Sequence, residues 1–417
     1  MIRWISEKLG TAPALDQSIT NDVIMLDVRD LVDKFGNSPA ATKDKIDQGL
    51  TLLRQGKKIV VCCDYGISRS NAIAAGILSL FNEISLDQAI KEVIRATGEQ
   101  EIKLEPLRSV RAALQDGVAS ITDGAPRILL TGGSGFIGQV LFRELAKQHY
   151  VVAPTRNEVD IIAGALELDL LVKEHRINGI VHLANPRVYT SNRAMGEMLT
   201  LLRNVLEVCR ENSVRLIYPS SWEVYSAYRA MDIIADESLP LFPKGPYGEA
   251  KLLCENLIEH HRKLYGLECG LLRSSPLYGE ASDRPKFIYN FIGKALKNEP
   301  FKTHCYLNGD PKLDLLHVDD FVSAIVSAIT TNFVGSLNIG SGCSVSTREV
   351  AEWIVSKMGS RSTVETRNIE DYAANIIMDT ALAKKIIGWH PVVRWSVGIS
   401  QLIEKSSRSL MQGAMPK

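Results

Sequence analysis

From Ile128 onward, short apolar runs alternate with helical patterns: I-L-L-T, a helix from Gly135 to about His149, Y-V-V-A-P, a helix near residues 164–175, and G-I-V-H-L-A. A longer helix over about 193–211, the run R-L-I-Y-P-S and a helix containing Tyr247 and Lys251 continue the series. Continuously apolar strands separated by helices build a parallel sheet. Each strand is buried on both faces, and each crossover returns over the sheet in a right-handed sense. The predicted fold class is α/β, with a doubly wound parallel sheet in this part of the chain. Residues 280–417 are less regular and are expected to add a small C-terminal substrate cap over the carboxyl ends of the strands.

The first part of the chain carries a separate α/β pattern. Residues 23–27 (V-I-M-L-D) and 58–62 (K-I-V-V-C) read as buried strands, with a helical pattern over 45–54 between them. A helix carrying Ala72, Ala74, Ala75, Ile77 and Leu78 follows the second strand. An amphipathic helix over 84–98 begins near Ser85 with Asp87 in its first turn. The stretch 114–127 contains two Asp-Gly pairs and a proline, which mark a boundary. Two domains are therefore expected, 1–118 and 126–417, with substrate-binding elements mainly in 275–417.

The 417 residues are enough for two or three domains, and 45% of them are hydrophobic. Lys plus Arg (48) equal Asp plus Glu (48), so no bulk charge points to nucleic acid or to a membrane surface. The seven cysteines are scattered, with no C-x-x-C pair and no His spaced to complete a zinc site, and no metal is expected. The opening M-I-R-W-I-S-E-K-L-G is interrupted by charges and does not read as a secretory signal. No run approaches the roughly 18 apolar residues of a membrane span. A reducing cytoplasm is the expected setting.

Two junctions between a strand and a helix have the composition of anion cradles, where backbone amides converge at a helix N-terminus. The first is V-V-C-C-D-Y-G-I-S-R-S at 60–70. Arg69 can give bidentate hydrogen bonds to a phosphoryl group, and both Arg69 and the loop amides lower the pKa of the Cys63 thiol. Gly66 permits the tight backbone path. This run resembles the signature loop of the cysteine-dependent tyrosine and dual-specificity phosphatases. The resemblance implies Cys63 as nucleophile, Arg69 as phosphate clamp and Ser70 as the hydroxyl that eases departure of the thiolate. It also implies a general acid upstream. Asp30 lies 33 positions before Cys63 and is assigned that role, with Asp27 as the fallback. The chain departs from the family in one place, since Cys62 stands where the loop-organising His is usual.

The second junction is R-I-L-L-T-G-G-S-G-F-I-G at 127–138. Ser221, Tyr247 and Lys251 follow downstream, and Tyr247 and Lys251 share a helix face. Together these resemble the short-chain dehydrogenase/reductase superfamily, in its extended branch that acts mainly on nucleotide sugars. V-H-L-A-N at 181–185, L-L-R-S-S-P-L-Y-G at 271–279, L-L-H-V-D-D at 315–320, L-N-I-G-S-G at 337–342 and G-W-H-P at 388–391 extend the likeness from about Arg127 to the C-terminus.

That resemblance implies catalytic roles for Ser221, Tyr247 and Lys251. Cofactor binding falls to Gly132, Gly135, Phe136, Ile137, Gly138, Arg156, Asp160, Ala184, Tyr247 and Lys251, and substrate contacts to Glu223 and Ser275. Thr155 and Arg156 end the second strand where a 2′-phosphate would sit, which favours NADP over NAD. Dehydratases of the family carry Thr-Asp-Glu where this chain has Ser221-Trp222-Glu223, leaving a 4-epimerase or a ketosugar reductase. Glu223 is either an acid/base or a hydrogen-bonded strand-end residue. A homodimer is expected because extended members often pair through two helices.

The expected function is a bifunctional enzyme whose partners are a phosphate ester and a sugar-like small molecule, with neither nucleic acid nor membrane. A phosphoprotein phosphatase, or an inert phosphate-binding module regulated by a dinucleotide-binding domain, is the alternative.

Overall fold

A computed structural model describes residues 1–14, 23–33, 37–99, 102–114, 126–186, 191–229, 232–280 and 286–411. Internal contacts divide the chain into two compact units, residues 1–124 with 156–176, and residues 125–155 with 177–417. Most of the boundary stretch 114–127 lies outside the described residues.

The first unit is built on a four-stranded sheet in the order Arg3–Trp4, Leu9–Pro13, Ile59–Cys63, Ile24–Asp27. Ile59–Cys63 is buried at all five positions and pairs in parallel with Leu9–Pro13 and Ile24–Asp27. The helix Pro39–Arg54 starts before the apolar periodicity becomes visible. Ser38 caps it by accepting from Ala41 N, and proline occupies its first turn. Leu86–Thr97 is bounded as its sequence suggests, by a Ser85 side-chain cap and a left-handed Gly98. The strands Arg3–Trp4 and Leu9–Pro13 and the helix Leu104–Leu114 belong to the unit without having stood out in the sequence, and so does the helix Leu166–Glu174, which the sequence pattern places in the second domain.

The second unit contains a six-stranded, wholly parallel sheet. Its order is Gly335–Ile339, Cys269–Ser274, Arg215–Ser221, Gly179–His182, Arg127–Thr131, Tyr150–Val152. The chain leaves Arg127–Thr131 toward one edge and resumes on its other side, so a crevice is expected beyond the carboxyl ends of Arg127–Thr131 and Gly179–His182. The segment expected only to cap the sheet also completes it. Gly335–Ile339 is the edge strand, and Val318–Thr330 contributes Phe321, Ala324, Ile325 and Ala328 to the core against Leu130, Leu272 and Leu337. A second cluster, around Phe291, Phe301, Val350 and Ile354, forms the core of the remaining C-terminal elements. Among the described residues, no helix is long and apolar enough to cross a membrane.

One buried polar network joins the sheet to the helix Pro246–Tyr265. The Glu255 carboxylate accepts from Arg273 Nε (3.2 Å to each oxygen), from Arg273 NH2 (2.9 Å) and from Ser220 Oγ (2.5 Å). Arg273 NH1 donates to Tyr225 Oη at 2.7 Å, and Tyr225 Oη donates to Asn338 Oδ1 at 3.2 Å. Glu255 and Arg273 are nearly sealed from solvent, so each is tolerable only with the other present. Glu255→Ala is expected to lower stability by about 3–5 kcal/mol, because it leaves a buried guanidinium unpaired. Urea unfolding of the full chain checks this, and a loss below roughly 1 kcal/mol would mean the pair is not an obligate part of the core.

Candidate functional site

A cleft of about 680 Å³ opens in the second unit, and Phe136, Ile137, Ala184, Ser221, Glu223, Tyr247, Lys251 and Ser275 all contribute to its lining. The fold thus brings together eight of the residues singled out in the sequence. The glycine loop behind Phe136 is shaped by close approach. Gly132 has φ +71°, and a Cβ there would lie 2.7 Å from the Ala184 amide nitrogen. Gly138 faces the backbone of Gly132 and Gly133 just as tightly. Gly135 N donates to Gly132 O at 3.0 Å, and the helix Phe136–Leu145 begins with no side chain capping it. Its first amides are therefore not satisfied by a cap. With no side chain at Gly135 to cover them, the cradle fits the pyrophosphate of a dinucleotide.

The strand ends around this loop are tied by Thr131. Its Oγ1 accepts from Ala184 N at 3.2 Å and lies 2.8 Å from His182 Nδ1. Burial, reinforced by the nearby Lys251 charge, lowers the His182 pKa to about 3, so the imidazole is neutral.

Tyr247 and Lys251 sit one turn apart in Pro246–Tyr265, a helix with proline in its first turn. Lys251 Nζ donates to Pro219 O at 2.8 Å and to Tyr218 Oη at 3.1 Å, and lies 5.8 Å from the centre of the Tyr247 ring. Burial lowers its pKa to about 8. Ser221 ends the strand Arg215–Ser221, and its Oγ accepts from Glu223 N at 3.2 Å, which caps the short helix Trp222–Tyr225. Glu223 is half-buried, and desolvation raises its pKa to about 7. Ser275 is buried, and its hydroxyl has no hydrogen-bond partner among the described residues.

The cleft also contains residues that sequence reasoning missed. His182, Tyr218, Trp222, Phe287 and Leu313 line it. Tyr218 and His182 occupy apolar strands and read as core, while Phe287 and Leu313 fall where no periodicity stood out. Arg156 and Asp160, expected near the adenosine, belong to residues 156–176 of the first unit. They pair with each other, Nε to Oδ1, at 3.7 Å.

In the first unit, Cys63 ends the central strand and its Sγ lies 3.4 Å from Ser70 Oγ. Burial opposes ionisation of this thiol. The Ser70 hydroxyl and the amides of Ser70, Ile67 and Tyr65 outweigh it and hold the pKa below the ordinary value. Gly66 turns the loop at φ +68°, where a Cβ would reach within 2.5 Å of Pro13 N. Arg69 is buried and already engaged. Its NH1 donates to Leu31 O at 2.6 Å and Arg29 O at 3.2 Å, its Nε lies 3.2 Å from Asp33 Oδ1, and its NH2 pairs with Asp64.

The candidate acid Asp30 is exposed, and it pairs with Lys45 Nζ at 3.0 Å. Asp27 is held by Arg29, whose Nε and NH2 lie 3.0 and 2.7 Å from its oxygens. Asp33 and Asp64 are the carboxylates that meet Arg69, and the sequence pattern pointed to neither. Cys62, in the place of the usual His, is buried with Sγ 3.6 Å from Val60 O. Among the described residues, no cluster of three or more His, Cys, Asp or Glu is placed to hold a metal ion.

Similarity to known proteins concentrates on the second unit. A putative UDP-glucose 4-epimerase of Methanocaldococcus jannaschii is 29% identical over 303 residues, covering 66% of this chain and 97% of the relative. GDP-mannose 3,5-epimerase 1 of Oryza sativa subsp. japonica is 27% identical, covering 66% of this chain and 79% of its own. Among solved structures, the Thermus thermophilus UDP-glucose 4-epimerase in complex with NAD superposes with a TM-score of 0.59 at 23% identity. That match covers 67% of this chain and 98% of that one. MoeE5 in complex with UDP-glucuronic acid and NAD gives 0.57 at 25%, covering 68% and 99%. The sequence profile of the NAD dependent epimerase/dehydratase family matches residues 128–340, the stretch that runs from the strand before the glycine loop to the far edge of the parallel sheet. With the cradle, the cleft and this match all falling on the same residues, the chain belongs to the NAD dependent epimerase/dehydratase family.

Proposed function

We propose that the second unit is a nicotinamide-dependent epimerase or reductase of a nucleotide sugar. The observation that carries this reading is the convergence of Ser221, Tyr247, Lys251 and the glycine-loop residues Phe136 and Ile137 on one cleft. When bound, the dinucleotide supplies the hydride acceptor or donor. The Tyr247 phenolate takes a proton from the reacting sugar hydroxyl, or the phenol returns it, and Ser221 orients that oxygen. Lys251, protonated below a pKa of about 8, stabilises the tyrosinate and holds ribose hydroxyls.

Glu223, with a pKa raised to about 7, is our candidate for exchanging a second proton with the sugar. The Methanocaldococcus relative supports a 4-epimerase on a UDP-sugar, and a ketosugar reductase uses the same groups. We assign Gly132, Gly135 and Gly138 to the pyrophosphate, Ala184 to the cofactor and Ser275 to the substrate. For the cofactor, NADP rests on the Thr155-Arg156 run of the sequence alone, while the solved neighbours carry NAD. A homodimer would use the face of Asn192–Asn212 and Pro246–Tyr265 that presents Leu199, Leu253 and Leu257.

Offering UDP-sugars with NAD or NADP and following epimer formation tests this reading, and Tyr247→Phe is expected to reduce turnover about 10²–10⁴-fold. Turnover that survives Tyr247→Phe unchanged would remove Tyr247 from the reaction.

For the first unit, we propose a cysteine-dependent phosphatase acting on a phosphate ester, supported by the lowered Cys63 pKa and the three amides directed at its sulfur. Cys63 Sγ forms a bond to phosphorus as the ester oxygen leaves and takes a proton from Asp30. Water then cleaves the phosphocysteine, with Asp30 accepting its proton and Ser70 assisting the departing thiolate. A second reading, a cradle that binds phosphate without cleaving it, is favoured by the engagement of Asp30 with Lys45 and of Arg69 with Asp64.

Aryl phosphate hydrolysis and orthophosphate binding separate the two readings. The phosphatase reading expects hydrolysis that Cys63→Ser abolishes. It also expects Asp64→Asn, by freeing Arg69, to lower KM about tenfold, the equivalent of one charge-assisted hydrogen bond. Orthophosphate binding without hydrolysis between pH 5 and 8 would leave the binding module.

A further inference from the structure

Tyr218 is buried (3% exposed) in the strand Arg215–Ser221. A phenol hydroxyl in such a place costs stability unless it is bonded. Here the hydroxyl meets Lys251 Nζ at 3.1 Å and the Cys254 thiol. The second fixed acceptor for Lys251 is the carbonyl of the next residue, Pro219, at 2.8 Å. Pro219 lies past the last residue of its strand that pairs with Gly179–His182, so its missing N–H costs that ladder nothing. An ammonium has three N–H donors. With two committed to adjacent residues of one strand, the remaining one is held in a single direction, and Lys251 contributes to the cleft wall.

We infer that Tyr218 is a positioning residue for the proposed cofactor site, its hydroxyl fixing the Lys251 ammonium in place and keeping it charged where the lysine meets the cleft. This rests on the reading of that cleft as a dinucleotide site. The groups facing Lys251 agree with it. His182 stacks on the Tyr218 ring, with centroids 6.1 Å apart at 27°, and is neutral. Tyr247 presents its ring at 5.8 Å. From the helix itself come Cys254 and Glu255, and the Glu255 charge is shared with Arg273. Burial disfavours the ammonium, and Tyr218 Oη, as an acceptor, works against that by stabilising the protonated form.

The sign of the effect follows from this. Lys251 is depressed to about 8, so its hold on the cofactor ribose is complete below that pH and fades above it. Removing the Tyr218 hydroxyl lowers the lysine further, and the fade begins at lower pH. The test measures NAD and NADP dissociation constants from pH 6 to 10 by tryptophan fluorescence, for the full wild-type chain and Tyr218→Phe. In parallel, the Lys251 13Cε resonance is titrated without cofactor. The variant is expected to bind within about threefold of wild type at pH 6, with its alkaline limb and its Lys251 titration both moved down by about one pH unit. Coincident limbs and titrations, or a variant weakened by one constant factor at every pH, would overturn the inference while leaving the cofactor site standing. A wild type that binds neither dinucleotide would overturn the cofactor reading, and the inference with it.

Discussion

Glu255 is where the helix bearing Tyr247 and Lys251 is fastened to the sheet. The three residues are spaced by four along one face, so burying the Glu255 carboxylate against Arg273 and Ser220 sets both the depth and the rotation of the whole helix. Arg273 lies in Cys269–Ser274 and Ser220 in Arg215–Ser221, neighbouring strands whose registers pair Arg273 with Ser220 and Ser274 with Ser221. One carboxylate therefore aligns two strand ends and a helix. It does so directly beneath Ser221, Ser275 and Lys251, which together line the cleft. Replacing such a pair by apolar residues can preserve stability. It would not preserve the directional bond to Ser220, and that bond is what links the core to the geometry of the site.

The parts of this arrangement legible in the sequence are those fixed by local chemistry. Alternating apolar runs identify the parallel strands, and the glycines of 132–138 identify a loop that backbone must approach closely. Ser221, Tyr247 and Lys251 are recognisable because their types and order resemble those of a known superfamily. Glu255 and Arg273 are not, since one Glu among several on a helix and a lone Arg in a strand read as exposed until the fold pairs them. Tyr218 and His182 are hidden for the opposite reason: in an apolar strand an aromatic ring looks like packing, and its polar atom acquires a role only through Lys251 or Thr131. The edge strand Gly335–Ile339 is obscured by the irregular sequence around it, and its place depends on long-range pairing with Cys269–Ser274.

The cysteine loop illustrates the same division. Its amides and Ser70 act on Cys63 as the local pattern implies, but the partners of Arg69 come from a loop some 40 positions upstream and from Asp64 within the loop itself. Spacing alone pointed to Asp30, whereas the fold directs that side chain to Lys45 and brings Asp33 to the arginine. Sequence distance from a nucleophile indicates which loop is near, and side-chain direction decides which of its carboxylates meets the arginine.

The central claim is that the cleft beyond the parallel strands holds a nicotinamide dinucleotide by its glycine cradle. Equilibrium dialysis of NAD and NADP against the full chain, paired with Gly135→Val, tests it most directly. Gly135 has φ −75°, which any residue adopts, and a Cβ added there would stand 3.2 Å from Gly132 O, so valine asks the loop to give by a few tenths of an ångström while filling the space this account reserves for the phosphates. The account predicts about one dinucleotide per wild-type chain and none for a variant that still melts cooperatively. Absence of binding to the wild type, or binding undiminished in the variant, would contradict it.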